Sequence, residues 1–369
     1  MKTKGATAEG TKRYADRMNA VAAPDHFREQ QGLAMSSIGL GTYLGHWDDA
    51  TDKSYQEAIR RAIELGCNVI DSAVNYRFQR SERAIGVALK QTFESSTASR
   101  DEIVLATKGG FFPFDDEPPR DARGWVMTNV IDKGIARAED IAGGSHCMTP
   151  AYLDDQLSRS LNNLGVDSID VYYIHNPETQ LESVNREEFN TRIRAAFEFL
   201  EKACADGRIA LYGTATWNGY RQPSGSRGYL SLEELVKLAR EVGGDEHRFR
   251  VIQLPYNLGM PEAITEATQL VEGEPVSTLM AADRLGITVM CSASILQAKL
   301  TQNLPAFVAE ALAGLSTDAQ RAIQFVRSTP GVTTALVGMS KRSHVEENLG
   351  TARVSPASVD DFFKMFSNN

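Results

Sequence analysis

Eight short aliphatic runs, each separated from the next by a longer and more polar segment, constrain the fold of this chain more than any other feature. The runs cover residues 36–40, 68–70, 103–107, 169–174, 209–213, 250–254, 287–291 and 333–338. Segments between them, such as 54–66, 151–165, 189–207 and 230–243, carry apolar residues at the spacing of an amphipathic helix. This alternation is typical of strand–helix units around a parallel sheet.

Eight such units predict one closed α/β barrel, the (β/α)8 or TIM barrel, over residues 31–369, with a polar N-terminal extension over residues 1–30. An open, doubly wound sheet is the alternative. The stretch GLGTYLG at 39–45 does not support a dinucleotide-binding turn of that fold, because HWDDATD follows it instead of a helix. In a barrel, the chemistry lies on the loops after the carboxyl ends of the strands.

Three connections, at about residues 109–149, 214–229 and 255–276, are longer than ordinary strand–helix loops. Long loops in a compact domain are often functional, so we expect these connections to carry the substrate determinants at the C-terminal face. The first one alternates apolar and charged residues, and we expect it to form a partly ordered lid.

Charge and composition bear on the partners of the chain. The net charge is −9, which provides no basic field for nucleic acid or an anionic membrane. The four cysteines lie far apart without a CxxC pair, so neither a metal site nor a disulfide framework is indicated. The sequence shows no apolar leader, and a cytoplasmic location is expected.

Titratable side chains follow three consecutive predicted strands. Asp71 and Tyr76 come after the second run, Lys108 after the third and His175 after the fourth. Singly, each has an ordinary structural explanation, such as a helix cap or a solvated side chain. Together, they are expected to converge on one mouth of the barrel, where catalytic groups of this fold lie.

The four residue types suit proton transfer to a carbonyl oxygen. A tyrosine, with a pKa of about 10 in water, exchanges protons poorly at neutral pH unless its phenolate is stabilised. We expect Lys108 to lower the pKa of Tyr76, and Asp71 to hold Lys108 charged and in position. His175 would orient the carbonyl by donating a hydrogen bond. No side chain supplies hydride, which implies a nicotinamide cofactor.

Seven motifs between about Ser36 and Asn348 resemble the aldo-keto reductase superfamily. They are IGLGT at 38–42, GCNVIDSAVNY at 66–76, SERAIG at 81–86, ATKGG at 106–110, YYIHNP at 172–177, GTATWN at 213–218 and PGVTTALVGMSKRSHVEENL at 330–349. The resemblance implies an NADP-dependent oxidoreductase acting on an aldehyde, ketone, sugar or alcohol. Its catalytic tetrad falls on Asp71, Tyr76, Lys108 and His175, with Tyr76 as the general acid or base. The alternative is a nucleotide-binding regulatory or interaction subunit with the same barrel and little turnover.

The same resemblance implies a set of cofactor contacts. They are Gly41, Thr42, Tyr43, Asp71, Thr216, Gln253, Ser292, Gly338, Ser340, Lys341, Arg342, His344, Glu347 and Asn348. Two positions depart from the family pattern: Ala215–Thr216 replace a serine followed by asparagine or arginine, and Cys291 replaces an aromatic residue that often stacks on the nicotinamide. We therefore expect Thr216 to take over part of the carboxamide contact, and stacking to weaken or to come from elsewhere.

Cations at the start of the helix after the last predicted strand favour NADP(H) over NAD(H). Lys341 and Arg342 stand where helix N–H groups and side-chain charge would together hold a phosphate. An ordinary solvated helix start is the alternative, since exposed basic pairs are common.

Predicted substrate contacts are His46, Trp47, Arg77 and Trp217. His46 and Trp47 follow the first barrel strand and would wall the pocket. Arg77 stands where many family members have glycine. Together with Arg80, it would either hold an anionic or polyhydroxylated substrate, or pair with acids of the long loop, namely Asp115, Asp116 or Glu117.

Overall fold

The computed structural model describes residues 5–367, in which strands and helices alternate along the chain. The strands are β1 Phe27–Gln30, β2 Leu33–Ser36, β3 Ile38–Gly41, β4 Val69–Asp71, β5 Val104–Gly109, β6 Ile169–His175, β7 Ile209–Ala215, β8 Phe249–Pro255, β9 Gln269–Val271, β10 Glu274–Val276, β11 Thr288–Ser292 and β12 Val332–Gly338. The first seven α-helices are α1 Ala8–Met18, α2 Asp49–Glu64, α3 Arg80–Glu94, α4 Ala122–Val126, α5 Pro150–Leu164, α6 Arg186–Ala205 and α7 Leu232–Gly243. The others are α8 Glu262–Thr265, α9 Thr278–Arg284, α10 Ala306–Ala311, α11 Asp318–Ser328, α12 Arg342–Leu349 and α13 Val359–Ser367.

Eight parallel strands close into a barrel in the order β11-β12-β3-β4-β5-β6-β7-β8. Each of the eight predicted runs overlaps one of these strands, so the (β/α)8 prediction is confirmed and the doubly wound alternative is wrong. The register places Gly338 beside Gly41 and Gly41 beside Asp71. The carboxyl ends of all eight strands therefore meet at one mouth.

The barrel strands pack against two apolar layers, which explains why their sequences do not alternate between apolar and polar residues. Side chains such as Val69 and Val171 fill the barrel interior, and their neighbours Ile70 and Tyr172 face the surrounding helices. Successive side chains of a strand point to opposite faces, so both sets must be apolar.

Helix boundaries follow local capping chemistry. Helix α2 begins at Asp49, earlier than predicted, because the Asp48 carboxylate accepts a hydrogen bond from the Thr51 N–H (2.8 Å) and caps the first turn. Pro150 opens α5, and the left-handed Gly165 (φ +65°) ends it. Tyr55 and Ile59 are buried on one face of α2, which sets the orientation of this helix against the barrel.

Helix α1 and the antiparallel hairpin of β1 and β2 lie near the amino ends of the barrel strands. The Ala6 N–H donates to Asp170 Oδ1 (2.6 Å), and Arg13 Nε donates to Glu102 Oε1 (2.9 Å). Both acids lie at or before the start of a barrel strand, so this segment is on the side opposite the mouth. The hairpin pairs Gln30 with Leu33 across the proposed division at residue 30, and that division stays a prediction.

The long connections have structure of their own. The connection after β5 contains α4 and a π-helical turn at Met127–Ile131, and its apolar residues Phe112 and Val130 form a cluster with Tyr152 of α5. The connection after β8 contains α8 and the hairpin of β9 and β10. Within residues 5–367, no helix is both long and apolar enough to cross a membrane.

Candidate active site

A buried ion pair lies at the mouth, between the ends of β4 and β5. Lys108 Nζ donates to Asp71 Oδ2 (2.6 Å) and to the carbonyl of Ser72 (2.6 Å). The other carboxylate oxygen, Asp71 Oδ1, accepts a hydrogen bond from Gln253 Nε2 of β8 (2.8 Å). Burial lowers the pKa of Lys108, and Asp71 opposes that shift. Both hydrogen bonds of the ammonium go to residues at the end of β4, so the ammonium is held in one position.

Tyr76 and His175 complete the predicted group of four. Lys108 Nζ lies 5.1 Å from the centre of the Tyr76 ring, and the Tyr76 and His175 ring centres are 5.8 Å apart in an edge-on arrangement. The structure thus brings together the side chains that follow β4, β5 and β6.

The expected net lowering of the Tyr76 pKa by Lys108 is wrong, because burial outweighs the effect of the ammonium. The pKa of Tyr76 is raised well above its ordinary value, first by burial and then by the charges of Asp71 and Tyr43. The ammonium cannot offset burial because its charge is largely balanced by Asp71 at 2.6 Å. Tyr76 therefore keeps its proton at neutral pH, as a proton donor must.

His175 is a neutral imidazole. Burial, followed by the charge of Lys108 and by His146, lowers the pKa of His175 well below its ordinary value. Its Nδ1 is buried without a hydrogen-bond partner among residues 5–367. Its ring packs edge-on against Phe111 of the long connection, with ring centres 5.0 Å apart. A neutral imidazole donates one N–H, so His175 can donate a hydrogen bond to an oxygen beside Tyr76.

Predicted nicotinamide contacts surround this group. Tyr43 is 56% exposed and packs edge-on against Tyr76, with ring centres 4.9 Å apart. Thr42 is buried, and its hydroxyl donates to the carbonyl of Asp71 (3.2 Å). Thr216 Oγ1, just beyond β7, is buried without a partner within the described part of the chain. Cys291 is fully buried among the residues that pack the barrel against its helices, so its side chain cannot stack on a nicotinamide.

Predicted adenosine contacts lie across the mouth, beyond β11 and β12. Ser292 ends β11, Gly338 ends β12, and the carbonyl of Ser340 accepts a hydrogen bond from Ser54 Oγ (2.6 Å). Of the predicted contacts in and just before α12, Lys341, Arg342, His344 and Glu347 are exposed and Asn348 is buried. Arg342 Nε donates to Glu346 Oε1 (3.1 Å) in an exposed pair, which is weak enough to open for a stronger anion.

Two exposed indoles follow strand ends at the mouth. Trp47 is 48% exposed and packs edge-on against Phe78 (ring centres 5.3 Å apart), and His46 beside it is exposed. Trp217 is 43% exposed, and its backbone N–H donates to Glu178 Oε1 (2.9 Å).

Arg77 is not a free cation at the mouth. Its side chain is almost fully buried, pairs with Asp52 of α2, donates to the carbonyl of His46 (2.8 Å) and stacks on Tyr55. Arg77 has a left-handed backbone conformation (φ +48°), which glycine would adopt without strain. These side-chain contacts stabilise that conformation. Neither predicted role applies to Arg77, which instead fixes the loop that carries Tyr76.

Arg80 pairs with an acid of the long connection, which was one of the two predicted alternatives. Arg80 Nη1 lies 3.6 Å from Asp116 Oδ1 of the long connection, and Arg80 Nη2 lies 2.6 Å from Asp52 Oδ2. Asp52 thus receives both arginines, which sequence reasoning did not anticipate.

Sequence reasoning also missed Glu178 and His146. Glu178 Oε1 accepts three backbone N–H groups, from Trp217, Asn218 and Gly219, and so shapes the loop that carries the indole. The position of Glu178, three residues after His175, is only a weak sequence signal for a role at the site. No local sequence feature indicates such a role for His146. Within residues 5–367, no cluster of His, Cys, Asp and Glu side chains is arranged to hold a metal ion.

Comparisons with known proteins identify the family of this chain. The sequence profile described as the aldo/keto reductase family matches residues 37–222. A putative voltage-gated potassium channel subunit beta of Schizosaccharomyces pombe is 27% identical over 198 residues, which cover 53% of this chain and 46% of that protein. An NADH-specific methylglyoxal reductase of Escherichia coli is 27% identical over 188 residues, covering 50% of this chain and 49% of the relative. The chain thus spans about half the length of these relatives.

The fold extends further than the sequence similarity. An aldo/keto reductase from Klebsiella pneumoniae, crystallised with NADP and acetate, superposes with a TM-score of 0.61 at 20% identity, over 93% of this chain and 95% of its own. This likeness concerns the barrel as a whole.

Proposed function

Because this chain belongs to the aldo/keto reductase family, we propose that it is an oxidoreductase that transfers hydride between NADP(H) and a small carbonyl or alcohol substrate, with Tyr76 as proton donor. The observation that carries the proposal is the buried Lys108–Asp71 pair beside Tyr76 and His175 at one barrel mouth. The bound nicotinamide would supply the hydride, which no side chain can provide.

Each of the four side chains has a separate role in proton transfer to the substrate oxygen. Tyr76 Oη gives its proton to the oxygen of the carbonyl as that oxygen becomes an alkoxide. The neutral His175 donates a hydrogen bond to the same oxygen and so orients it. Lys108 places positive charge beside the Tyr76 ring, which stabilises the phenolate left behind, and Asp71 holds the ammonium in place. In the oxidation direction the phenolate takes the proton back.

Several residues are suited to hold a nicotinamide cofactor. Thr216 Oγ1 has no hydrogen-bond partner within residues 5–367, so a carboxamide can satisfy it. Tyr43 presents an exposed ring beside Tyr76, and Gln253 reaches the same centre through Asp71. Ser292, Ser340, His344, Glu347 and Asn348 would contact the rest of the cofactor. The preference for NADP(H) rests on Lys341 and Arg342.

Replacing both Lys341 and Arg342 with alanine should weaken NADPH binding by about 10-fold or more and change NADH binding less than about twofold. Only NADPH carries the 2′-phosphate that these cations would bind through charge-assisted hydrogen bonds. Fluorescence titration of both cofactors measures the two dissociation constants. The matched control is Lys237→Ala with Arg240→Ala, which removes two exposed cations from α7. Equal losses of affinity for NADPH and NADH would show that Lys341 and Arg342 do not bind the 2′-phosphate and are ordinary solvated side chains.

The channel-subunit relative favours a second candidate, a nucleotide-binding regulatory subunit with little turnover. The two functions separate in a steady-state assay that follows NADPH consumption with a panel of aldehydes, ketones and sugars. Sustained turnover would exclude a purely binding role. Tight NADPH binding without turnover on any substrate class would reject the reductase and favour the regulatory subunit.

A further inference from the structure

We propose that His146, which belongs to the long connection after β5, positions His175 through a directed chain of hydrogen bonds. The inference rests on the proposed function, because it assigns His146 a part in aligning His175 with Tyr76.

The chain of hydrogen bonds runs from Arg192 to the main chain of His175. His146 Nε2 lies 2.7 Å from the His175 carbonyl oxygen, and His146 Nδ1 lies 2.8 Å from Gln180 Nε2. Arg192 Nη1 donates to Gln180 Oε1 (2.8 Å). His146 and Gln180 are both completely buried, so water does not compete for the bond between their side chains.

The direction of each bond follows from Arg192. A guanidinium only donates, so Gln180 must turn its oxygen toward Arg192 and its NH2 group toward His146. His146 Nδ1 therefore accepts, and its Nε2 carries the proton that is donated to the His175 carbonyl. Burial lowers the pKa of His146 to about 4, which keeps the ring neutral, and the bond from Gln180 selects this tautomer. Arg192 is itself held by Glu188 Oε1 (2.8 Å).

The backbone after β5 is shaped to admit this contact. Gly110 has φ +146°, and a Cβ there would lie 2.7 Å from His146 Nε2 and 2.9 Å from the His175 oxygen. A side chain at residue 110 would therefore separate His146 Nε2 from the His175 carbonyl oxygen and break the hydrogen bond between them. Gln156 fixes the same backbone by accepting from the Gly110 N–H (2.6 Å) and donating to the Phe111 carbonyl (2.6 Å).

Both ends of the long connection meet at His175. Phe111 and His146 face each other as antiparallel bridge partners, and the Cys147 N–H donates to the Gly110 carbonyl (2.9 Å). The Phe111 ring packs edge-on against both histidines. His146 thus anchors the main chain of His175 while Phe111 restricts its ring. Because small misplacements of reacting groups reduce rates strongly, this anchoring affects turnover more than cofactor binding.

His146→Phe keeps a ring but removes both hydrogen bonds. We expect kcat for carbonyl reduction to fall about 10-fold, with the dissociation constant of NADPH changed less than about twofold. His146→Gln should recover most of the rate, because its amide can accept from Gln180 and donate to His175. A loss of NADPH binding equal to the loss of kcat, or no rescue by glutamine, would overturn the positioning role.

Gly110→Ala tests the same contact without touching a histidine, and should lower kcat by a similar factor. The matched control is Gly134→Ala in the same connection, because Gly134 also has positive φ (+67°) but a Cβ at that position would have no other atom within 4 Å. If the two alanine variants lose activity equally, backbone strain explains the effect and the contact with His146 does not.

A spectroscopic test does not depend on turnover. Nitrogen-15 NMR of the histidine rings should show His146 as a neutral Nε2–H tautomer, and the signals of His175 should shift in His146→Phe. A proton on Nδ1 of His146, or unchanged His175 signals, would overturn the proposal even in an active enzyme. If the wild type reduces no carbonyl, the proposed function fails while the hydrogen-bond chain is still decided by these spectra.

Discussion

Tyr76→Phe should lower the rate of carbonyl reduction at least ~100-fold, the usual scale of a general acid, while NADPH binding persists. The substitution removes only the hydroxyl, so the ring contacts with Tyr43, His175 and Lys108 remain. The raised pKa of Tyr76 means that the wild-type phenol is protonated at neutral pH and available as donor. The measurement is the steady-state reduction rate of the best substrate, alongside an NADPH titration.

A second tyrosine provides the matched control for Tyr76→Phe. Tyr172 is buried in the layer between barrel and helices, and its hydroxyl has no hydrogen-bond partner within residues 5–367. Tyr172→Phe should therefore leave the reduction rate close to that of the wild type. If Tyr76→Phe also retains most of its activity, the proton donor lies elsewhere and the proposed mechanism is wrong.

Lys108→Met should cause a loss of similar size, also about 100-fold, by a different route. Without the ammonium, the charge of Asp71 is unbalanced beside Tyr76, and this raises the pKa of the phenol further and makes it a weaker acid. The variant should also be less stable, because removing one partner of a buried ion pair costs about 3–5 kcal/mol. Reduction rates and thermal unfolding measure the two effects separately.

The double variant Tyr76→Phe with Lys108→Met distinguishes an effect on the phenol from a general disturbance of the mouth. Lys108 acts through Tyr76 in the proposed mechanism, so the double variant should lose far less activity than the product of the two single losses. Losses that multiply would show that Lys108 contributes independently of the phenol.

The barrel and the position of its mouth were predictable because their causes are local in the sequence. Parallel strands buried on both faces require short, continuous apolar runs, such as residues 169–174 of β6. Closure of eight such strands then places Asp71, Lys108 and His175 together, since each lies at the carboxyl end of its own strand.

Tertiary packing determined which groups those residues contact and which charges lie close to them. Three contacts join segments that are distant in the sequence. Asp52 of α2 pairs with Arg77, and Gln253 of β8 donates to Asp71. His146 contacts the carbonyl of His175. The sign of the Tyr76 pKa shift likewise depends on burial and on how completely Asp71 balances Lys108. Residue types and spacing determined the strand ends, whereas desolvation and side-chain pairing arise only when distant segments pack around them.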